Sequence, residues 1–399
     1  MKDEIFCHLS FSSFIFPPLW MAGWTDLGNI WTTFKELDIR PIADEAERPL
    51  VLAFVGAAGC GKSTLIAALR HDPRAREKVI APTIEADLDA AARLDAADLI
   101  VLMLDATRAD FSAEAHLFAE WRGAGRNVVV LYNKMDAAQD ANVVSATMTP
   151  WAGARVAFGS AVDPESLAHS FVPRVMDALK ESRVSLARHY PLFRLAVARE
   201  LISDTSFANA SYALGTGFAE IVPVLDIPFN VADMIILTKN QALMAYKLGL
   251  ALGLPTRWQA HVAELGSVVG AGFLWRQIAR QLVGLIPVWG IVPKVAVAYA
   301  GTYAVGEAIV YWYQTGHKMT GRGMRELYAD ALARGKQIAQ EIVARAPKPS
   351  LPQVTLPSLP RPSLPKLPAP RAKNVCAQCG KQNARAAKFC AYCAAELNF

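Results

Sequence analysis

The chain has 399 residues, 53% hydrophobic and 19% charged, which excludes a wholly disordered protein and leaves room for two or three domains with sizeable cores. The formal charge of +5 invites a nucleic-acid reading, but residues 346–399 hold eight Lys or Arg against one Glu, and the other 345 residues sum to −2. The basic balance belongs to a tail, so a whole-protein field for nucleic acid is excluded. Cysteine is equally local. Four of the six lie at 376, 379, 390 and 393, and with Cys7 and Cys60 they do not make a disulfide scaffold.

In chain order, residues 1–23 form an apolar N-terminal extension. Ile5 to Trp24 carry no Lys, Arg, Asp or Glu. Pro17 and Pro18 interrupt the stretch and Asp3 and Glu4 precede it, unlike a signal peptide's basic start. Three readings stay open: translation beginning at Met21, a membrane-facing segment, or a packed apolar arm. Residues 49–180 alternate short apolar runs with helical patterns. The runs are Leu50–Val55, Leu99–Leu104, Val128–Tyr132 and Arg155–Phe158; the helical patterns are Ser63–Leu69, Ser112–Arg122 and Pro164–Lys180. This predicts an α/β fold, a parallel sheet with helices on both faces. The 35 residues between Ser63 and Leu99 show an apolar patch at Val79–Ile80 and then a helix-like Ala/Asp/Leu run, with no strand expected.

Residues 181–345 read as an apolar, all-helical domain. Pro223, Pro228 and Val231–Ala232 are echoed by Pro287, Pro293 and Val295–Ala296, which is either a duplicated helix–turn–helix unit or coincidence in an apolar composition. Val295–Tyr313 has Glu307 as its one charged residue and ends in Tyr311-Trp312-Tyr313, as an interfacial segment would. Leu214–Leu237 carries Glu220, Asp226 and Asp233, which make a clean span costly. Gly301 and Gly306, with Ala at 298, 300, 304 and 308, allow close helix approach. Membrane association and a soluble bundle both fit; Arg276 and Arg280, near Lys294, would meet lipid headgroups in the first case and solvent in the second. Residues 346–371 hold nine of the 24 prolines and predict an extended linker, with docking to a Pro-recognising module as the other reading.

Two motifs carry chemistry in the first half. Gly56-Ala-Ala-Gly59-Cys60-Gly61-Lys62-Ser63, followed by Thr64, fits G-x-x-x-x-G-K-[ST] between a strand and a helix. Its glycines let backbone amides wrap a phosphate, Lys62 reaches the β- and γ-phosphates, and Ser63 holds Mg2+. Asn133-Lys134-Met135-Asp136 follows a strand, at the sheet edge where ligands bind. In the tail, Cys376-x-x-Cys379 and Cys390-x-x-Cys393 have zinc-ribbon spacing. Four thiolates close a tetrahedral Zn2+ shell, a structural site in residues 372–399; a redox dithiol or an iron–sulfur site is the alternative. Lys373, Lys381, Arg385 and Lys388 surround it, as solubilising charge or as a contact for anionic lipid or nucleic acid.

With both motifs in this order, the chain resembles a P-loop GTPase of the Era/EngA-like (TRAFAC) group. The resemblance implies GTP or GDP with Mg2+ as ligands. It implies that Asp136 accepts from the guanine donors, Asn133 holds the loop and the base oxygen, and Lys134 covers the ring. Ser160 and Ala161 match the short base-contacting S-A motif. The family's D-x-x-G is missing. Thr83 is either the switch threonine, contacting Mg2+, or an N-cap or turn residue, Asp87 either the replacement acid or helix surface, and Asp105 either a turn residue or a metal ligand. Hydrolysis is therefore expected to be slow, partner-dependent or absent. Leu282–Gly290, the Ala/Gly-rich run to Tyr313 and Gly316-His317 resemble the DUF697 helical domain of bacterial GTPase-linked and inner-membrane proteins. Trp31 to Pro49, with Phe34-Lys-Glu-Leu-Asp38, resembles that family's lead-in, and a lead-in helix is expected over residues 24–48. The resemblance implies membrane lipid and the cytoplasmic face of a bacterial inner membrane, with the cytoplasm as the other location; a protein partner is expected, with a homo-oligomer among the alternatives. One small ribbon lacks the basic stripe of a nucleic-acid binder, so nucleic acid is not expected.

Overall fold

Of the apolar runs between residues 49 and 160, the three inner ones are buried on both faces and fold as neighbouring parallel strands, and Arg155–Phe158 adds a half-buried edge. In the computed structural model, the described residues are 38–71, 81–89, 94–138, 149–219, 231–259, 261, 291–345, 374–383, 388–390, 392–393 and 395–397. They fall into two units, Met1–Pro347 and Lys348–Phe399. The strands are β1 (Leu52–Gly56), β2 (Thr83–Ala86), β3 (Leu99–Asp105), β4 (Val128–Asn133) and β5 (Arg155–Phe158), in the order β2-β1-β3-β4-β5. All four pairings are parallel. β2 is the strand the sequence does not announce. It is an edge strand whose inward contribution is limited to Ile84 and Ala86, too short an alternation to stand out.

Alternation along each strand builds two cores. Leu52, Phe54, Leu99, Val101, Met103, Val129 and Leu131 point to one face, under helix α2 (Lys62–Arg70). Ala53, Val55, Ile100, Leu102, Leu104, Val130 and Tyr132 point to the other, against Phe118 and Trp121 of α3 (Ser112–Gly123). Each fully buried Leu or Val contributes about 1.5–3 kcal/mol of transfer free energy. The expected helix Pro164–Lys180 is broken. Asp163 caps a turn at Pro164–Ser166, a π turn spans Leu167–Phe171, and α4 covers Val172–Ala178. Pro173 has no N–H to return to the preceding turn, and the wider π turn accommodates that loss.

The sheet core does not stop at residue 180. After α5 (Arg183–His189), Tyr190, Phe193 and Val197 pack under the sheet face that α2 covers. The Tyr190 hydroxyl is 2.7 Å from the Pro82 carbonyl and 3.0 Å from that of Leu50, and accepts from the Leu52 N–H at 3.3 Å. Burial pushes its pKa well above the ordinary tyrosine value. α1 (Arg40–Glu47), the described part of the lead-in, buries Ala46 beside Val184.

The helical region continues with α6 (Arg194–Ala219), α7 (Val231–Ala251), α8 (Ile291–Thr315) and α9 (Gly321–Arg345). α8 packs along both α6 and α9. Close approach is made by small residues: a Cβ on Gly306 would collide with Ile202, and one on Gly335 would stand 2.8 Å from the Ala296 carbonyl oxygen. Val295, Ala296, Ala300, Ala304, Ala308 and Ile309 are buried, so the apolar run Val295–Tyr313 is spent on protein contacts. Among the described residues no helix is long and apolar enough to cross a membrane. Lys294 is 7% exposed, a buried side chain rather than one presented to headgroups or solvent. The N-terminal extension 1–23, residues 24–37, Val79–Ile80, Leu282–Gly290, Arg276, Arg280, the linker 346–371 and most of the proline repeat lie outside the described residues.

In the second unit, β6 (Asn374–Val375) and β7 (Gln382–Asn383) pair antiparallel around the first Cys pair. Phe389 and Glu396 bridge antiparallel around the second.

Candidate nucleotide site and thiolate cluster

The loop after β1 is shaped by glycines where nothing else fits. A Cβ on Gly56 would stand 2.8 Å from the Cys60 sulfur. Gly59 and Gly61 have φ of +77° and +99°, and a Cβ on Gly61 would strike the Asn133 amide. A side chain is thus blocked by contact at Gly56 and Gly61, and at Gly59 it is disfavoured by the positive φ alone. α2 begins at the end of the loop with no side-chain cap, leaving its first amides to an anion. Lys62 is 7% exposed and curls back, donating to the carbonyls of Gly56 at 2.9 Å and Ala57 at 3.1 Å and to Asp87 at 2.7 Å. Ser63 and Thr64 are exposed at the helix start, and the Ser63 hydroxyl donates to Glu85 Oε1 at 2.6 Å. Cys60 is buried, which pushes its thiol up and makes it a packing residue rather than a nucleophile.

Asn133 ties three loops together. It is 2% exposed, its Nδ2 donates to the Cys60 carbonyl at 2.8 Å, and its Oδ1 accepts the Ala161 N–H at 2.8 Å. The two loops beyond β4 and β5 are stitched further by Met135 N–H to the Gly159 carbonyl at 3.2 Å and Gly159 N–H to the Tyr132 carbonyl at 2.9 Å. Ser160 is buried at this seam. Lys134 adopts φ of 62°, the left-handed region, and its ammonium reaches Asp105 Oδ2 at 2.6 Å. Asp105 also accepts from the Thr107 N–H at 3.0 Å and hydroxyl at 2.6 Å, which makes it the turn residue of its two readings. Burial raises its pKa, but the Lys134 and Thr107 bonds outweigh this and hold it below the ordinary value. Asp136 is exposed on the same loop, where its carboxylate can meet a ligand's donors.

Of the predicted residues, the structure brings together Gly56, Gly59, Cys60, Gly61, Lys62, Ser63, Thr64, Asn133, Lys134, Asp136, Ser160 and Ala161 at the C-terminal edge of the sheet. It does not bring Thr83. Thr83 opens β2 opposite Leu52, at the end of the strand pair away from Gly56, and its hydroxyl accepts from Arg70 at 2.6 Å. A strand of four residues separates it from the loop by more than 10 Å, on the order of 3.3 Å per residue. Asp87 instead arrives at the loop. Glu85 is the functional candidate that the sequence reading missed. The one signal was the polar alternation Thr83, Glu85, Asp87, which looks like helix surface until β2 is known.

The four cysteines of the tail form a second centre. Their sulfurs all lie within 4.8 Å of one another, with Cys376 to Cys393 at 3.7 Å and Cys379 to Cys390 at 3.5 Å. Four sulfurs about 2.3 Å from a tetrahedral Zn2+ stand about 3.8 Å apart, so the thiols fit the ion. The knuckles are set by Cys376 N–H to the Lys381 carbonyl at 3.0 Å and Cys390 N–H to the Ala395 carbonyl at 2.8 Å, with Gly380 at φ of 72°. The Tyr392 amide beside Cys390 pulls its thiol down to about 6, toward the thiolate that ligation needs.

No family model matches the chain, and no curated protein matches it. Solved structures do. The G domain of the T. maritima FeoB iron transporter is 19% identical with a TM-score of 0.24, covering 33% of this chain and 99% of that one. That transporter's cytosolic domain in apo form is 17% identical with a TM-score of 0.25, over 54% and 99%. A bacterial dynamin, from an oligomerised pair described as sensing and tethering membranes, is 9% identical with a TM-score of 0.27, over 84% and 75%. At such identities and scores the reading of the site rests on its own residues.

Proposed function

We propose that this protein binds GTP and GDP together with Mg2+ and is a slow or partner-activated GTPase. The observation that carries the reading is the Asn133 brace, which joins the phosphate loop to the two loops that would flank a base. Lys62 and the loop amides would hold the phosphates, Ser63 would hold Mg2+, and Asp136 would select guanine. Bound Mg2+ would neutralise phosphate charge. The slow rate follows from what the acid strand lacks. β2 leads into Asp87-Leu88-Asp89-Ala90, which keeps the acid of D-x-x-G without its glycine. The second reading, a non-catalytic nucleotide-stabilised scaffold that recruits partners through its Pro-rich arm and zinc-bound ribbon, is favoured by the same missing glycine.

Titration calorimetry with GDP, GTP and ATP tests the binding. We expect guanine nucleotides to bind, ATP to bind weakly, and Asp136→Ala to reduce the difference. Turnover of GTP by the purified protein, compared with Lys62→Ala, separates the two readings: binding without turnover selects the scaffold. Membrane association belongs to the proposal in its peripheral form, on the cytoplasmic face of a bacterial inner membrane, and is supported by the apolar composition of 262–290. Flotation with anionic vesicles tests it, and recovery wholly in the lipid-free fraction overturns it. One equivalent of Zn2+ per chain, lost when Cys376 and Cys390 become Ser, tests the ribbon.

A further inference from the structure

The odd-numbered side chains of β2, Thr83 and Glu85, and Asp87 just past its end all turn toward α2. Thr83 meets Arg70 at 2.6 Å, Glu85 meets Ser63 at 2.6 Å, and Asp87 meets Lys62 at 2.7 Å. The period of two along a strand produces this, since residues 83, 85 and 87 share one face. The two outer contacts each involve a cation, Arg70 on a hydroxyl and Lys62 on a carboxylate. The middle one sets a carboxylate on the hydroxyl that the nucleotide reading assigns to Mg2+.

We infer that Glu85 is a second metal-side carboxylate of the nucleotide site, which ligates Mg2+ beside Ser63 and makes nucleotide affinity conditional on the metal. The inference rests on the proposed nucleotide binding. Adjacent oxygens of an octahedral Mg2+ at about 2.1 Å stand about 3.0 Å apart. The 2.6 Å contact between Glu85 Oε1 and the Ser63 Oγ is a hydrogen bond now. An opening of about 0.4 Å turns the same two oxygens into neighbouring ligands. The donor set is all oxygen, as a hard cation prefers. Glu85 is an exposed side chain, so solvent borders it where that small movement is made.

Charge gives the arrangement its consequence. Lys62 brings one positive charge, while Asp87 and Glu85 bring two negative ones. Without metal the phosphate cradle therefore faces a net negative pair, and Glu85 competes with incoming phosphates. With Mg2+ the sign reverses. The carboxylate that repels a bare nucleotide becomes a ligand that retains the metal-bound one.

The test measures GDP affinity of the full chain with millimolar Mg2+ and with EDTA, for wild type, Glu85→Gln and Ser63→Ala. Glu85→Gln removes the charge and keeps the shape. We expect it to bind GDP about 5-fold more tightly in EDTA, the scale of one partly exposed charge. Its gain from Mg2+ should fall about 10-fold, since charge-assisted ligation is lost. Ser63→Ala should lose the Mg2+ gain without any improvement in EDTA, which separates metal ligation from relief of repulsion. Equal Mg2+ gains in wild type and Glu85→Gln would overturn the inference and leave nucleotide binding standing. If wild type binds no guanine nucleotide even with Mg2+, the functional reading falls and the inference with it.

Discussion

The sheet and the helical region keep their polar groups in opposite places. The sheet's two cores are apolar but for the buried Tyr132 and Tyr190 hydroxyls, and Lys62, Asp87, Asn133 and Lys134 gather at one edge, where the strands end. The helices bury theirs. Asn209 Nδ2 donates to the Thr302 hydroxyl at 2.8 Å, Gln241 Nε2 to the same hydroxyl at 3.1 Å, and Asn240 Nδ2 to Asn209 Oδ1 at 2.7 Å, joining α6, α7 and α8. Ser206 Oγ and Gln241 Oε1 have no hydrogen-bond partner in that core. Parallel strands need no interior polar group, because ladder bonds set their register. Helices lined with Ala and Gly slide easily, and a buried polar cluster holds one alignment at some cost in stability. The sheet's edge is therefore where chemistry can be changed without unfolding, and the bundle's polar centre is where it cannot.

The tail marks the extreme case, since Cys376, Cys390 and Leu397 form a core too small to stand alone. Chelation should unfold 374–397 completely, because structural Zn2+ supplies about 10–16 kcal/mol. Amide spectra read this, and signals of the first unit should stay unchanged. At the sheet edge, Lys62→Ala should weaken GDP binding by about 100-fold or more, with the melting temperature nearly unmoved. A large drop in melting temperature would erase the contrast between edge and core. In the bundle, Gly306→Leu drives a side chain into Ile202 and should cost about 1–3 kcal/mol in denaturant unfolding, with GDP affinity retained. Thr302→Val removes the hydroxyl shared by Asn209 and Gln241 and should cost about 1–3 kcal/mol, as two buried amides lose a partner. The smallest effect is at the surface. Arg155 and Lys180 hold the Asp177 carboxyl down at about 2, so its contribution is complete above pH 4 and fades as pH falls toward 2. A carboxyl titration by NMR checks the value, and Arg155→Ala should raise it.

Composition and pattern alone determined a good deal. The β1, β3 and β4 strands are short apolar runs that a doubly covered parallel sheet explains, and β5 is a shorter run at its edge. The phosphate loop declares itself because its glycines answer a local steric demand. Asn133 to Asp136 and the four cysteines are legible because their spacing is local as well. Tertiary structure decided the rest, and in each case the contact is distant in sequence. β2 is invisible until it pairs with β1, and that pairing sends Thr83 away from the loop and brings Glu85 and Asp87 to Ser63 and Lys62. Asn133 becomes a brace only when β4 lies near the loop after β1, 73 residues away in the chain. Tyr190 carries the sheet's core past residue 180 through bonds to residues some 140 positions earlier. The run Val295–Tyr313 looks like a membrane segment for the same reason, because hydropathy records how apolar a residue is and not what covers it. α6 and α9 cover it here.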